Sequence, residues 1–373
     1  MTDMRVRRLR EELDGAGLAG MVVSDRTDLA WLTGFTGSSG TAVVTATALT
    51  LVTDARYRMQ VATQAPDVEV VIERRTAVAV AGVLGLVTGR IGLQTDVLTA
   101  DAHDELVAAL ADDAPGVEPV SSGRVISELR RVKDETELTA MARACAVSVT
   151  ALQHLLDGDG TSDGAGLTGR TERAIVRELD GLLIDAGADE VAFATMVASG
   201  PHSASPHHEA TDRPLTAGDL VVLDFGARVD GYNADMTRTV FVGGPERVPP
   251  APWQRELHTL VARANAAGRA AATPGADLAR VDAAARELIA AAGYGDHFEH
   301  GLGHGIGRAV HEAPLLRAGV TGSLAAGEVV TIEPGVYLSG RGGVRIEDTV
   351  VLRDGAEGPR VLTTAPRDLL VLG

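Results

Sequence analysis

The sequence predicts an α/β (α+β) protein, with a small mixed domain ahead of a larger, internally repeated one. Three observations carry this. Helix-like and strand-like runs alternate from Met1 to about Val125. A turn-rich stretch from Pro115 to Gly123 (PGVEPVSSG) then interrupts the pattern. Beyond it, a helix–helix–strands order occurs twice, with LLIDAGADEVAF and ELIAAAGYGDHF at equivalent places. Domains are therefore expected at 1–125 and 131–373. A duplicated unit of this kind folds into one curved sheet with helices outside, leaving a concave face for a site.

In the first part, residues 4–16 read as a helix and 19–24 as a strand. Residues 41–53 read as two strands joined by a turn, and 55–65 as a helix. Strands near 68–72 and 91–93 and a helix at 101–111 follow. The loop Gly34-Phe35-Thr36-Gly37-Ser38-Ser39-Gly40 lacks both the P-loop lysine and G-x-G-x-x-G spacing, so it reads as a connection. In the second part, helices are expected at 134–156 and 171–186, separated by the Gly/Asp/Ser-rich segment 157–169. Strands follow at 192–198, 220–227 and 233–242. A helix at 253–271 stops at Thr273-Pro274-Gly275, and Asp277 is positioned to cap a helix at 278–292. The last strands fall near 298–302, 328–333 and 345–352.

Composition excludes several functions. A net charge of −17 argues against nucleic acid and anionic membranes as partners. The longest apolar stretch, Ala77 to Val87, is too short to span a bilayer, and the N-terminus lacks a signal-peptide pattern. A single cysteine, Cys145, excludes an intrachain disulfide and fits a reducing compartment, so a cytoplasmic location is expected.

The chemistry gathers around VVLDFGARVDGYNADMTRTV (221–240). Asp230-Gly231 between two β-rich runs is a hairpin signal, and Asp224 and Asp235 flank it. A turn centred on 229/230 sets the two acids directly opposite; one centred on 230/231 makes them diagonal neighbours. Either register puts both carboxylates on one face, where they repel unless a cation is shared. Glu333 and Glu347 pair in the same way across SGRGG (339–343), and Arg345 points to their face. Pro334 cannot donate to a ladder, so the strand must bulge or leave the sheet there. His304 lies in GLGHGIG, where glycines leave room for a ligand. Four carboxylates and an imidazole suit two divalent cations, whose shared water attacks an amide.

Together VVLDFGARVDGYNADMTRTV, HGLGHGIGRAVHE, TIEPGVY and GGVRIEDTVVL resemble the "pita-bread" dinuclear metallopeptidases: aminopeptidase P, prolidase and methionine aminopeptidase. The likeness covers about 131–373. WLTGFTGSSG and LVTDARYRMQVA resemble the creatinase-type N-terminal domain of the Xaa-Pro branch. The resemblance implies Asp224, Asp235, His304, Glu333 and Glu347 as metal ligands, with Asp235 and Glu347 bridging. It implies His207 and His311 as substrate-contacting or proton-shuttling residues, and Glu333 as acid/base on the bridging water. Arg345 is implied to support the ligands or meet a substrate carboxylate. His208 adjoins His207, whose distance along the chain from Asp224 fits better. His202 and His297 are expected to be surface or loop histidines.

The expected activity is hydrolysis of the bond preceding proline in small peptides with proline second, as an Xaa-Pro dipeptidase or aminopeptidase. Two divalent ions are expected, manganese first, with cobalt, zinc or iron also tolerated, and relatives' habits raise a homodimer. Methionine aminopeptidase is the alternative enzyme, and a catalytically dead binding module the alternative of another class. Arg308 departs from the family, which has an apolar residue there, and either reshapes the substrate pocket or points to solvent.

Overall fold

The protein is described from a computed structural model covering residues 2–157, 166–244, 246–355 and 358–372. The expected interruption at 157–169 lies largely outside the described residues. Two compact units divide at 130/131. No helix among the described residues is long and apolar enough to cross a membrane.

The first unit runs α1 (Thr2–Gly15), β1 (Gly20–Val23), α2 (Arg26–Thr33), β2 (Gly40–Thr45), β3 (Leu49–Thr53), α3 (Arg58–Gln64), β4 (Glu69–Ile72), α4 (Thr76–Leu84), β5 (Gly89–Leu93), α5 (Ala100–Asp113), β6 (Val117–Ser121) and α6 (Val125–Arg131). Its six-stranded sheet has the order β4-β3-β2-β1-β5-β6, with β1–β2 and β2–β3 antiparallel and the other pairs parallel. Both faces are covered. Met21 and Val23 of β1 pack with Leu9, Trp31 and Phe35, while Val22 between them packs with Val80, Leu84 and Leu110. Three helices were not expected, α6 among them. Arg26–Thr33 begins where the Asp25 side chain accepts from Asp28 N, and Thr76–Leu84 uses the apolar stretch weighed only as a membrane span. The turn-rich 115–123 stretch also holds edge strand β6, whose Pro119 sits where only one side of the strand is paired.

The second unit contains two copies of one plan. The first has α7 (Glu135–Asp157), α8 (Glu172–Asp185), β7 (Glu190–Val191), β8 (Met196–Ser199), β9 (Leu220–Phe225), β10 (Ala227–Val229), β11 (Tyr232–Asn233) and β12 (Met236–Val242). The second has α9 (Pro252–Ala271), α10 (Leu278–Ala291), β13 (Gly303–Gly305), β14 (Glu312–Leu316), β15 (Val329–Ile332), β16 (Gly335–Leu338), β17 (Gly342–Arg345), β18 (Asp348–Val351), β19 (Arg360–Val361) and β20 (Val371–Leu372). Thr171 and Asp277 cap α8 and α10 through their side chains. Ile175, Leu179 and Leu183 of α8 are fully buried against Leu223 and Phe225 of β9. In the second copy, Val261 and Ala264 of α9 and Val281 and Ala285 of α10 pack on Val330 and Ile332.

Each copy ends in a hairpin whose ladder is broken once. In the first, Asp230 and Gly231 both have positive φ (53° and 78°), as a type I′ turn requires. The pairs Arg228↔Asn233 and Asp224↔Thr237 centre that turn on 230/231. The ladder lapses at Gly226, between β9 and β10. In the second, Gly335↔Arg345 and Ile332↔Asp348 put Glu333 across from Glu347, with the ladder lapsing between β15 and β16. The strand leaves its sheet at Pro334, as the missing N–H requires. One expected strand, 298–302, is irregular, and its pairing begins only at Gly303.

A candidate dinuclear metal centre

Both ladder gaps are held open by buried polar groups from the first helix of each copy. Ser148 of α7 accepts from Ala227 N at 2.9 Å, just past Gly226. Asn265 of α9 donates to the carbonyls of Ile332 (2.9 Å) and Ile346 (3.2 Å), one on each strand beside the second gap. The two hairpins are stitched together there. Glu347 N donates to Thr237 O, and Thr349 Oγ1 donates to Asp235 O at 2.8 Å. A Cβ at Gly226 would overlap the Ala234 carbonyl oxygen, so the close approach beside Asp235 requires glycine.

The gaps bring the four acids to one place. Asp224 and Asp235 are diagonal neighbours on the first hairpin, and Glu333 and Glu347 face one another on the second. All four line one cleft of about 680 Å³ together with His304, Arg345, His207, His208, His300 and His311. Asp235, His304 and Glu347 are buried, and one donor atom from each lies within 4.8 Å of the others.

His304 is held in one tautomer. Its Nδ1 lies 3.0 Å from Gly305 O, to which it donates, and burial pushes its pKa down to about 4. The neutral ring therefore turns a bare Nε2 lone pair towards Glu333 Oε1 (3.4 Å) and Asp235 Oδ2 (3.8 Å). The carboxylates are frustrated. Burial first, and then the negative neighbours, raise Asp235 and Glu347 well above the usual carboxylate range; the same causes bring Glu333 to about 8. Asp224 Oδ1 is buried without a hydrogen-bond partner.

One cation stands among them. Arg345, buried, donates to Asp224 through Nη2, to Thr237 Oγ1 (3.1 Å) through Nε, and to Tyr337 Oη (2.9 Å) and Pro206 O (3.4 Å) through Nη1. These four bonds hold the guanidinium against Asp224, Thr237, Tyr337 and Pro206 and use four of its five N–H groups. Among the described residues, one cation faces four carboxyl groups. The orphaned oxygen, the bare imidazole nitrogen and the surplus of carboxyl groups together fit an oxygen-rich site for divalent cations.

The other histidines divide. His311 is exposed in the cleft and meets the His304 ring edge-on at 4.5 Å, while His207 is exposed at the rim. His300 and Tyr337 were not anticipated. His300 Nδ1 lies 2.8 Å from Gly301 O and its Nε2 lies 2.9 Å from Tyr337 Oη, so Arg345, Tyr337 and His300 form a chain of hydrogen bonds. The signal was present in the HGLGH spacing and in TIEPGVY, but only tertiary pairing joins them. His202, expected to be bland, lies 3.0 Å from Glu172, as His208 does at 2.9 Å. Arg308 stacks 4.9 Å over the Tyr232 ring and is not among the cleft-lining residues. Cys145 is fully buried and its thiol is pushed up to about 12, in keeping with a core residue.

Comparison with known proteins agrees with this geometry. Residues 139–354 match metallopeptidase family M24, and residues 5–132 match the creatinase/prolidase N-terminal domain. The Xaa-Pro dipeptidase of Pyrococcus furiosus is 39% identical over 246 residues, 66% of this chain and 67% of its own. The uncharacterized peptidase YqhT of Bacillus subtilis is 35% identical over 99% of this chain and 100% of its own. Among solved structures, an Xaa-Pro dipeptidase from Bacillus anthracis superposes with a TM-score of 0.90 at 32% identity, covering 100% of both chains. An X-Pro aminopeptidase from Thermotoga maritima gives 0.86 at 32% identity, over 98% of this chain and 99% of its own.

Proposed function

Because the chain belongs to metallopeptidase family M24, we propose that it hydrolyses the peptide bond preceding proline in small peptides with proline second. The observation that carries this is the buried quartet of acids around the His304 Nε2 lone pair, in a cleft whose volume suits a short peptide. The match of residues 5–132 to a creatinase/prolidase N-terminal domain favours the Xaa-Pro branch over methionine aminopeptidase. Catalysis is assigned to residues 131–373 and the accompanying domain to 1–125.

In this reading Asp224, Asp235, His304, Glu333 and Glu347 would hold two divalent cations. Manganese is favoured by the excess of carboxylate oxygen over imidazole. Such a pair, when bound, polarises a carbonyl and lowers the pKa of water. The chain's own residues do the rest. Glu333, whose Oε1 lies 3.4 Å from His304 Nε2, takes and returns the proton of the attacking water. His207 and His311 offer imidazole N–H groups to the substrate from the cleft walls. Arg345 is a positioning residue, holding Asp224 in one orientation and Tyr337 in reach of His300. Cytoplasmic residence, supported by the single buried cysteine, and a homodimer, supported by the resemblance alone, complete the proposal.

The test is turnover of Ala-Pro and Ala-Pro-Ala by manganese-loaded protein. Hydrolysis of the first alone identifies a dipeptidase, and of the second an aminopeptidase. Inactivity on both overturns the assignment.

A further inference from the structure

A second convergence of metal-binding side chains lies at the edge of the cleft, which His208 also lines. Glu172 opens α8, and its carboxylate has no exposed surface. Oε1 accepts from Ser199 N (2.8 Å) and Ser199 Oγ (2.7 Å), and Oε2 from Thr211 N (2.9 Å) and Thr211 Oγ1 (2.8 Å). These four bonds already match the four lone-pair directions of a carboxylate. Yet His202 Nδ1 lies 3.0 Å from Oε1, and His208 Nε2 lies 2.9 Å from Oε2. The two imidazole nitrogens are thus the fifth and sixth groups directed at one carboxylate. Their rings lie close, with centroids 4.4 Å apart. One donor atom from each of the three residues falls within 4.8 Å of the others.

We propose that Glu172, His202 and His208 form a third, separate cation site, of the two-imidazole, one-carboxylate type that takes zinc. Two features equip it for this. The amides of Ser199 and Thr211 fix the carboxylate, as supporting hydrogen bonds do for a ligating acid, while their hydroxyls, which also accept from Arg213 Nη1 (2.6 Å) and Arg213 N (3.1 Å), can turn their protons away and release a lone pair on each oxygen. The His202 side chain is 35% exposed and that of His208 is 12% exposed, which gives a cation a way in and leaves a position for water.

The donor sets separate the sites chemically. The main centre offers four carboxylates to one imidazole, and this one offers two imidazoles to one carboxylate. The softer set favours zinc over manganese. Occupancy reaches the cleft through the chain itself. His202 and His208 bracket Pro206, whose carbonyl accepts from Arg345, and His207, which lines the cleft. A cation on both histidines therefore fixes the segment that forms one wall of the substrate site.

The experiment adds zinc to full-length, manganese-saturated protein, removes free ions and counts both metals by mass spectrometry. Wild-type protein should gain one zinc per chain while keeping its manganese, with two imidazole nitrogens seen by X-ray absorption at the zinc edge. His202→Ala and His208→Ala should gain none, and His202→Gln serves if the alanine variant does not fold. The proposal is overturned if wild type gains no zinc, if zinc only displaces manganese, or if the variants gain as much. The zinc count with and without His202 gives its answer even if the protein cleaves no Xaa-Pro peptide.

Discussion

Nε2 of His304 stands 3.4 Å from Oε1 of Glu333, longer than an ordinary hydrogen bond. The imidazole has already given its proton-bearing nitrogen to the Gly305 carbonyl. Two electron pairs therefore face each other whenever the carboxylate is ionised. A cation resolves the clash, as does a proton on either partner.

Replacing Asp235 should empty the centre if the proposed ligand set is right. Asp235→Ala is expected to lower peptide hydrolysis by more than about a hundredfold, beyond what supporting residues cost, with metal content falling in parallel. Full activity with metals absent would end the dinuclear reading.

The cation-free protein should lose stability as pH rises. Glu333 is brought to about 8 in the folded chain, whereas an unfolded glutamate titrates near ~4.3. Between those values the folded state binds more protons, so stability is full below the lower value and falls as pH approaches the upper. Melting temperatures of chelator-treated protein should drop from pH 5 to pH 8, and added manganese should raise them more at pH 8. A flat profile would contradict this.

Glu172 should behave in the opposite sense. Its hydrogen bonds outweigh the burial that opposes ionisation and hold its pKa at about 2. Its contribution is present above the ordinary carboxylate range and is lost as pH falls towards that value. Glu172→Ala leaves buried donors unpaired and should cost roughly 3–5 kcal/mol, measured by urea unfolding at neutral pH.

Tyr337→Phe removes the hydroxyl joining Arg345 to His300. Activity should fall about ten- to a hundredfold with metal content and melting temperature nearly unchanged. An equal fall in metal content would place Tyr337 in support of the ligands instead.

Gly226→Ala should act on the site more than on the fold. The added methyl meets the Ala234 carbonyl, forcing the strands apart next to Asp235. A cost of roughly 1–3 kcal/mol is expected from such overpacking, with a larger proportional loss of bound metal, read by calorimetric titration.

Much of this centre is written locally. Asp-Gly demands a tight turn, the turn sets the register, and register with period two assigns the faces of Asp224 and Asp235. Glu333 and Glu347 follow from the glycine-rich turn and Pro334 in the same way. The His300–Tyr337 bond was not legible, because nothing in sequence order says that a loop before β13 meets strand β16. Nor was Thr76–Leu84 as a helix, since a short apolar run without clear periodicity fits helix and strand alike. The role of Glu172 is a third case. One acid in the first turn of a helix is ordinary, and only folding brings two histidines to it.

The interruptions in the two hairpins have a mechanical meaning. Each divides a ribbon into a root in a broad sheet and an arm in a small separate sheet, β10–β11 with β7 in one copy and β16–β17 in the other. Cations held by the acids beside these breaks would act as rivets joining root to arm. Metal affinity and ribbon stiffness then become two readings of one quantity, and amides in the arms should exchange with deuterium faster once the rivets are drawn.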